Sequence, residues 1–258
     1  MHLSKKITLI IIVAGIFASC NGNHSTNGST KDSTNNSTAS TGSGDDYYYE
    51  LSINSSGKNI SITEVTKMFV SSTGDMHSEM DVRNSANGNK TSAPIISIAH
   101  ANKPGESIDI DDSAKTYTIN HFDSSDMNTE EKITSTATKV GDEKVMGFNC
   151  VHARIISKKT MGSFYSSTDT IDLWKSNDVS QQPSVKVLMN RMESGKGNAM
   201  YSTETAAQLK QMGCEGFTVK MVMSSKDVSM IMQLTKMERL NIPARMFEIP
   251  AGYKEVKD

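Results

Sequence analysis

The chain has 258 residues, 22% of them charged, with a formal net charge of −2 and a sequence pI near 6.3. That balance argues against nucleic acid, which calls for a clustered basic surface, and the charges alternate too evenly to form a polybasic membrane patch. The length allows one domain with a real core and a substantial tail.

At the N-terminus, Lys5 and Lys6 precede a largely apolar run, Ile7 to Phe17, which continues into Ala18-Ser19-Cys20. This is the layout of a secretory signal. Its eleven residues are too few to span a hydrocarbon core that needs ~20. Small residues before a lone Cys resemble a bacterial lipobox, in which the sulfur takes a diacylglycerol. The expectation is a removed signal peptide over residues 1–19 and lipidation of Cys20. Residues 20–45 follow as a linker: of the 25 residues after Cys20, 20 are Ser, Thr, Asn or Gly. Such a segment buries too little apolar surface to offset the entropy of ordering it, and acts as a tether.

The remainder, residues 46–258, shows no second linker and no repeat, and reads as a single β-rich domain. Tyr47, Tyr49, Leu51 and Ile53 alternate with polar partners, as do Ile60 and Ile62, and Met76, Ser78, Met80 and Val82. Further strands are expected over 94–100, 115–119, 133–140, 151–156, 168–174, 217–223, 228–240 and 246–249, parted by Gly, Asn, Asp and Ser clusters. Two stretches have helical spacing. Pro183 to Glu193 places Val185, Leu188, Met189 and Met192 on one face, and Thr203 to Met212 is stopped by Gly213. The fold class is therefore mainly β (α+β): an antiparallel sheet of about ten strands with two late helices.

With Cys20 lipidated, Cys150 and Cys214 remain. In an oxidising compartment they are candidates for a disulfide, the alternative being two separate buried thiols.

Gly147-Phe148-Asn149-Cys150, then a strand and Asp172-Leu173-Trp174, resembles the middle of the uncharacterised envelope lipoproteins called domain of unknown function 4412. The ending, Met246-Phe247-Glu248-Ile249-Pro250-Ala251-Gly252-Tyr253, resembles that family too, and the likeness runs from about Tyr47 to Tyr253. The family is similar to the lipoprotein carriers LolA and LolB, whose curved sheet cups an apolar cavity closed by helices. The resemblance implies a LolA/LolB-like fold, a strongly curved antiparallel half-barrel, in a Bacteroidota-type envelope protein, and it offers no catalytic residues.

A curved sheet lines its concave face with every second residue. The strands that would line it carry Met221, Met223, Met230 and Met232, and these with Trp174 are the candidate pocket residues. Flexible thioethers suit a cavity that adapts to acyl chains. The expected function is binding of an apolar ligand, a lipid or acyl chain, with membrane contact through the anchor. The alternative is a structural or partner-binding envelope module with a filled core. Copper is a further alternative, because Met-x-Met pairs present two soft sulfurs on one strand face, although His77, His100, His121 and His152 match no ligand spacing. No metal site, cofactor or enzyme is expected: there is no Gly-x-Ser-x-Gly, His-Glu-x-x-His or phosphate loop. Asp109, Asp111 and Asp112 read as a solvated strand end and turn. Asn21 after the lipid-bearing Cys, and no acidic export run, favour the periplasmic face of the outer membrane.

Overall fold

The computed structural model describes residues 45–257 apart from 59, 85–93, 104, 122–130, 162–164, 179, 181, 183, 187–188 and 190–200. The signal segment, Cys20, nearly all of the linker and most of the expected helix at Pro183–Glu193 lie outside the described residues, although 184–186 are helical.

The chain runs through β1 (Asp46–Gly57), β2 (Ile60–Val70), β3 (Met76–Asn84), β4 (Ile95–Ala99), β5 (Glu106–Asp111) and β6 (Thr116–His121). It continues through β7 (Glu131–Val145), β8 (Phe148–Met161), β9 (Tyr165–Ser176), helix α1 (Thr203–Gln211), β10 (Phe217–Ser224) and β11 (Val228–Leu240). A 3-10 turn (Ala244–Phe247) and the two-residue β12 (Lys254–Glu255) follow. All twelve strands form one sheet in the order β12-β6-β5-β4-β3-β2-β1-β11-β10-β9-β8-β7. Two antiparallel meanders, β1 to β6 and β7 to β11, thus meet where β1 pairs with β11, from Asp46 opposite Leu240 to Gly57 opposite Val228.

Among the described residues twelve strands replace the expected ten or so. β5 was hidden because Asp109 and Asp111 alternate with Ile108 and Ile110, and acidic residues read as turn. Asp111 does serve the turn, accepting from Ser113 N at 3.0 Å and Ala114 N at 2.9 Å. The expected strand at 246–249 is absent: residues 246–247 end the 3-10 turn and 248–249 are irregular. Pro243 leads into the turn and Met246 N donates to Pro243 O at 2.9 Å, which suits a tight turn where Pro lacks a ladder donor.

The two faces of the sheet divide their apolar residues unequally. On one face Tyr49, Leu51, Ile53, Met68, Val70, Ile155, Ile171, Phe217, Val219, Met221, Met232 and Leu234 form the main core. Followed towards β6, that face turns polar: Met68 lies opposite Ser78, Ser78 opposite Ser97, and Ser97 opposite Asp109. Here Ser97 Oγ donates to Asp109, and Asn120 Nδ2 donates to Asp109 at 2.8 Å. The apolar residues of β4 to β6 point the other way, where Ile98, Ile108 and Ile110 pack with Ile249 and Tyr253. The chain after β11 therefore crosses that second face as a strap. It is pinned at one end by Ile242 N donating to Asp46 Oδ2 at 3.1 Å and at the other by β12 on β6.

Helix α1 closes part of the first face. Ser202 caps it, accepting from Thr205 N, and Gly213 at φ 73 ends it, with Cys214 N donating to Leu209 O at 2.9 Å. Leu209 packs into the core beside Met221, while Thr205 Oγ1 and Gln208 Oε1 hydrogen-bond Ser135 Oγ and Ala137 N of β7.

Asp46 is 3% exposed and also accepts from Ser72 N at 2.8 Å, so one carboxylate ties β1 to the turn after β2 and to the strap. Asp46→Ala is expected to lower unfolding stability by about 1–3 kcal/mol, because two backbone donors lose their acceptor. Leu51→Ala, at 2% exposure, is expected to cost about 2–5 kcal/mol. Denaturant unfolding of both variants checks these values.

Candidate functional site: the methionine-bearing face

The four candidate methionines come together as a block. Met221 lies directly opposite Met232, and Met223 opposite Met230, so two strands carry four thioethers on one face. The row continues across the sheet on both sides. Met232 is opposite Ile53 and Ile53 opposite Glu64; Met221 is opposite Leu173 and Leu173 opposite Ala153. Cross-strand partners project to the same side, so these residues share one surface. Met221 and Met232 are 2% and 5% exposed beneath the Leu209 side of helix α1, whereas Met223 and Met230 are only half-buried. The block thus grades from packed core to accessible rim.

Trp174 does not join it. Leu173 faces Met221, so its neighbour projects from the opposite surface, where Trp174 is opposite His152 in β8 and Lys220 in β10. The His152 ring stacks on the indole at 4.0 Å, Lys220 Nζ sits 4.6 Å from the ring centroid, and the indole N–H donates to Glu143. His152 in turn lies between two carboxylates, Nδ1 3.2 Å from Glu143 Oε1 and Nε2 2.9 Å from Asp172 Oδ1. Arg154 Nε donates to Asp172 Oδ1 at 2.9 Å and its Nη2 to Oδ2 at 3.1 Å. Partial burial pushes the Asp172 carboxyl up, but the Arg154 and His152 hydrogen bonds and charges outweigh it and hold it below the usual carboxylate range. Trp174 is a structural centre of this polar network.

Glu64, which escaped the reading of the sequence, does lie on the methionine face. It is 4% exposed, and Thr66 Oγ1 donates to its Oε1 at 2.9 Å. Burial pushes its carboxyl up, partly offset by that hydrogen bond. The signal was present in the alternation of β2: Glu64 and Thr66 share the parity of Met68 and Val70 and interrupt an otherwise apolar stripe.

Cys150 and Cys214 are free and buried in the structure. Each thiol has its own partner: Cys150 Sγ donates to Phe148 O and Cys214 Sγ to Val151 O, both at 3.6 Å. Burial pushes both thiols up, which disfavours the reactive thiolate. The histidines are dispersed. His77 lies 3.5 Å from Glu79 and His100 3.4 Å from Asp75, while His152 belongs to the tryptophan network. Among the described residues no group of three or more His, Cys, Asp or Glu is placed to hold a metal ion. None of their helices is long and apolar enough to cross a membrane.

Two outcomes check this geometry. Alkylation of the unfolded chain without reductant is expected to label Cys150 and Cys214; protection of both would show a disulfide instead. A depressed Asp172 contributes stability that is fully present above its unfolded value near 3.8 and lost as pH falls through its lower folded value. The stability gap between wild type and Asp172→Asn should therefore be largest, about 1–2 kcal/mol, in the neutral range. It should shrink in acid below about pH 4, read by urea unfolding at several pH values.

No curated protein matches the chain. Among solved structures it is similar to the lipoprotein LppX of Mycobacterium tuberculosis, at 10% sequence identity and a TM-score of 0.33, over 76% of this chain and 87% of that one. The model of the family described as Domain of unknown function (DUF4412) matches residues 50–253, from within β1 to the residue before β12. The chain belongs to the DUF4412 family.

Proposed function

We propose that this protein is an envelope lipoprotein, anchored through Cys20 on the periplasmic face of the outer membrane, that binds a lipid or acyl chain on its methionine-bearing face. The block of Met221, Met223, Met230 and Met232 carries the proposal. Thioether side chains rotate freely and are polarizable, so a surface made of them fits apolar ligands of varied shape. The half-buried pair Met223 and Met230 supplies the accessible side, and Met221 and Met232 the deeper one. The linker of residues 20–45 would hold the domain within roughly 25–30 Å of the membrane, close to its lipid source. The proposed role is binding and not catalysis.

A second function, a partner-binding module with a filled core, is favoured by the low exposure of Met221, Met232 and Ile53. Titration of the mature chain with a fluorescent fatty acid separates the two. Saturable micromolar binding, weakened about tenfold by Met223→Ser together with Met230→Ser, is expected for the carrier. An absence of saturable binding supports the module. For the anchor, an alkyne-bearing fatty acid fed to the cells should label the wild-type chain. Cys20→Ala should lose the label and leave the membrane fraction.

A further inference from the structure

We infer that Glu64 is the polar anchor of the methionine face, and that it hydrogen-bonds the carbonyl oxygen at the polar end of an acyl ligand. This rests on the apolar-ligand function proposed above and adds the ligand's chemistry and orientation.

The geometry is that of one carboxyl group set into an apolar row. Glu64 is opposite Ile53 on one side and Val82 on the other, and beyond Ile53 come Met232 and Met221. Strands lie about 4.8 Å apart, so Glu64 stands roughly 10 Å from Met232 and roughly 14 Å from Met221 along the row. A chain laid across β1 and β11 with its polar end at Glu64 would run its hydrocarbon over Ile53 and the methionines. Thr66 is 1% exposed, and its hydroxyl is committed to Oε1 of Glu64. That contact occupies Oε1, and the proposal assigns Oε2 to the ligand.

An apolar core gains nothing from a carboxyl group in this position: a buried acid costs stability unless it is neutral or well paired. Of the residues that face Glu64 from β1 and β3, namely Ile53 and Leu51, and Val82 and Met80, none is charged or titratable. β3 also carries His77 and Arg83, but they stand opposite Phe69 and Thr63, whose parity sends them to the other face of the sheet. Burial favours the neutral form of the Glu64 carboxyl, and in that form a carboxyl group is a hydrogen-bond donor. Its natural partner is an acceptor without a charge of its own, such as an ester carbonyl or the carbonyl of a carboxylic acid. Those two sources, a lipid ester and a free fatty acid, share the same chemistry.

The test uses the chain from residue 20 to 258 with Cys20→Ser, so that no anchor competes, and three probes. These are a fluorescent long-chain methyl ester, the matching free fatty acid, and diphenylhexatriene, a hydrocarbon with no polar end. Glu64→Leu is expected to weaken the carbonyl-bearing probes about tenfold and leave diphenylhexatriene unchanged, because only the former lose a hydrogen bond. Glu64→Gln keeps a donor and should preserve binding of the methyl ester. It should also abolish the gain in ester affinity that wild type shows as pH is lowered and Glu64 takes up its proton. A stronger response with the ester identifies an esterified lipid, and with the acid a free fatty acid. Should Glu64→Leu shift all three probes together, or none, Glu64 is a packing residue and the anchor is overturned. Were Glu64→Leu to fail to fold, the pH profile of Glu64→Gln still decides: a profile identical to wild type overturns the inference. If wild type takes up none of the three probes, the apolar-ligand function itself fails, an outcome distinct from loss of the anchor.

Discussion

The pairing of β1 with β11 is the contact on which the rest of the molecule depends. It joins residues 46–57 to 228–240, nearly the full length of the domain apart in sequence, and turns two meanders into one sheet. Without it each meander would expose a long unpaired edge and half of the main core. Its closure is entropically costly because the intervening chain must be ordered first. The cost is offset by burial along β1, where Tyr47, Tyr49, Leu51 and Ile53 are all at or below 7% exposure, and Tyr49 stacks on Phe217 at 5.5 Å. The register set there also aligns Ile53 with Met232 and so assembles the candidate site.

A sheet this broad has to cover two faces, and this one does so with different parts of the chain. Over β7 to β11 the apolar side is closed by helix α1, which also caps an edge donor of β7 through Gln208. Protection of that kind keeps an exposed strand from pairing with another chain. Over β4 to β6 the apolar side is the opposite one, and the strap from Ile242 to Val256 covers it. Lys115, at φ 56, bonds Asp112 and Tyr253 at the strap's far end, with Tyr253 OH also donating to Asp112. The methionine face is thus bounded on one flank by a polar surface, Ser97 to Asp109, and on the other by the helix. Glu64 lies on β2, between the methionines and the polar flank.

Much of this was legible in the chain. Period-two alternation located β1, β3, β9, β10 and β11, and the stop at Gly213 placed helix α1 to within a residue. Two elements were misread for identifiable reasons. β5 alternates Ile with Asp because one side of it faces water and the Asn120 amide, so its polar residues resembled a turn. The segment at 246–249 has apolar residues at strand spacing, yet its apolar side chains serve a strap and not a ladder, between two prolines. The candidate residues split in the same way. Met-x-Met on each of two strands was enough to put both sulfurs of a pair on one side, whereas no local pattern tied Trp174 to them. Strand parity, counted from Leu173, sends it to the other surface.

By itself the sequence determined the strand pattern and the family motifs, and it leads one to expect a signal, Cys20 and a linker ahead of the β-rich domain. These depend on composition and on neighbours a few residues apart. Only the tertiary structure decided that Met221 meets Met232, that Glu64 lies in their row, that Trp174 is held by His152 and Lys220, and that the two cysteines bond separate carbonyls. Each of these follows from the register between strands distant in sequence. A slip of one residue sends a side chain to the opposite face, and no local pattern records which residue stands opposite which.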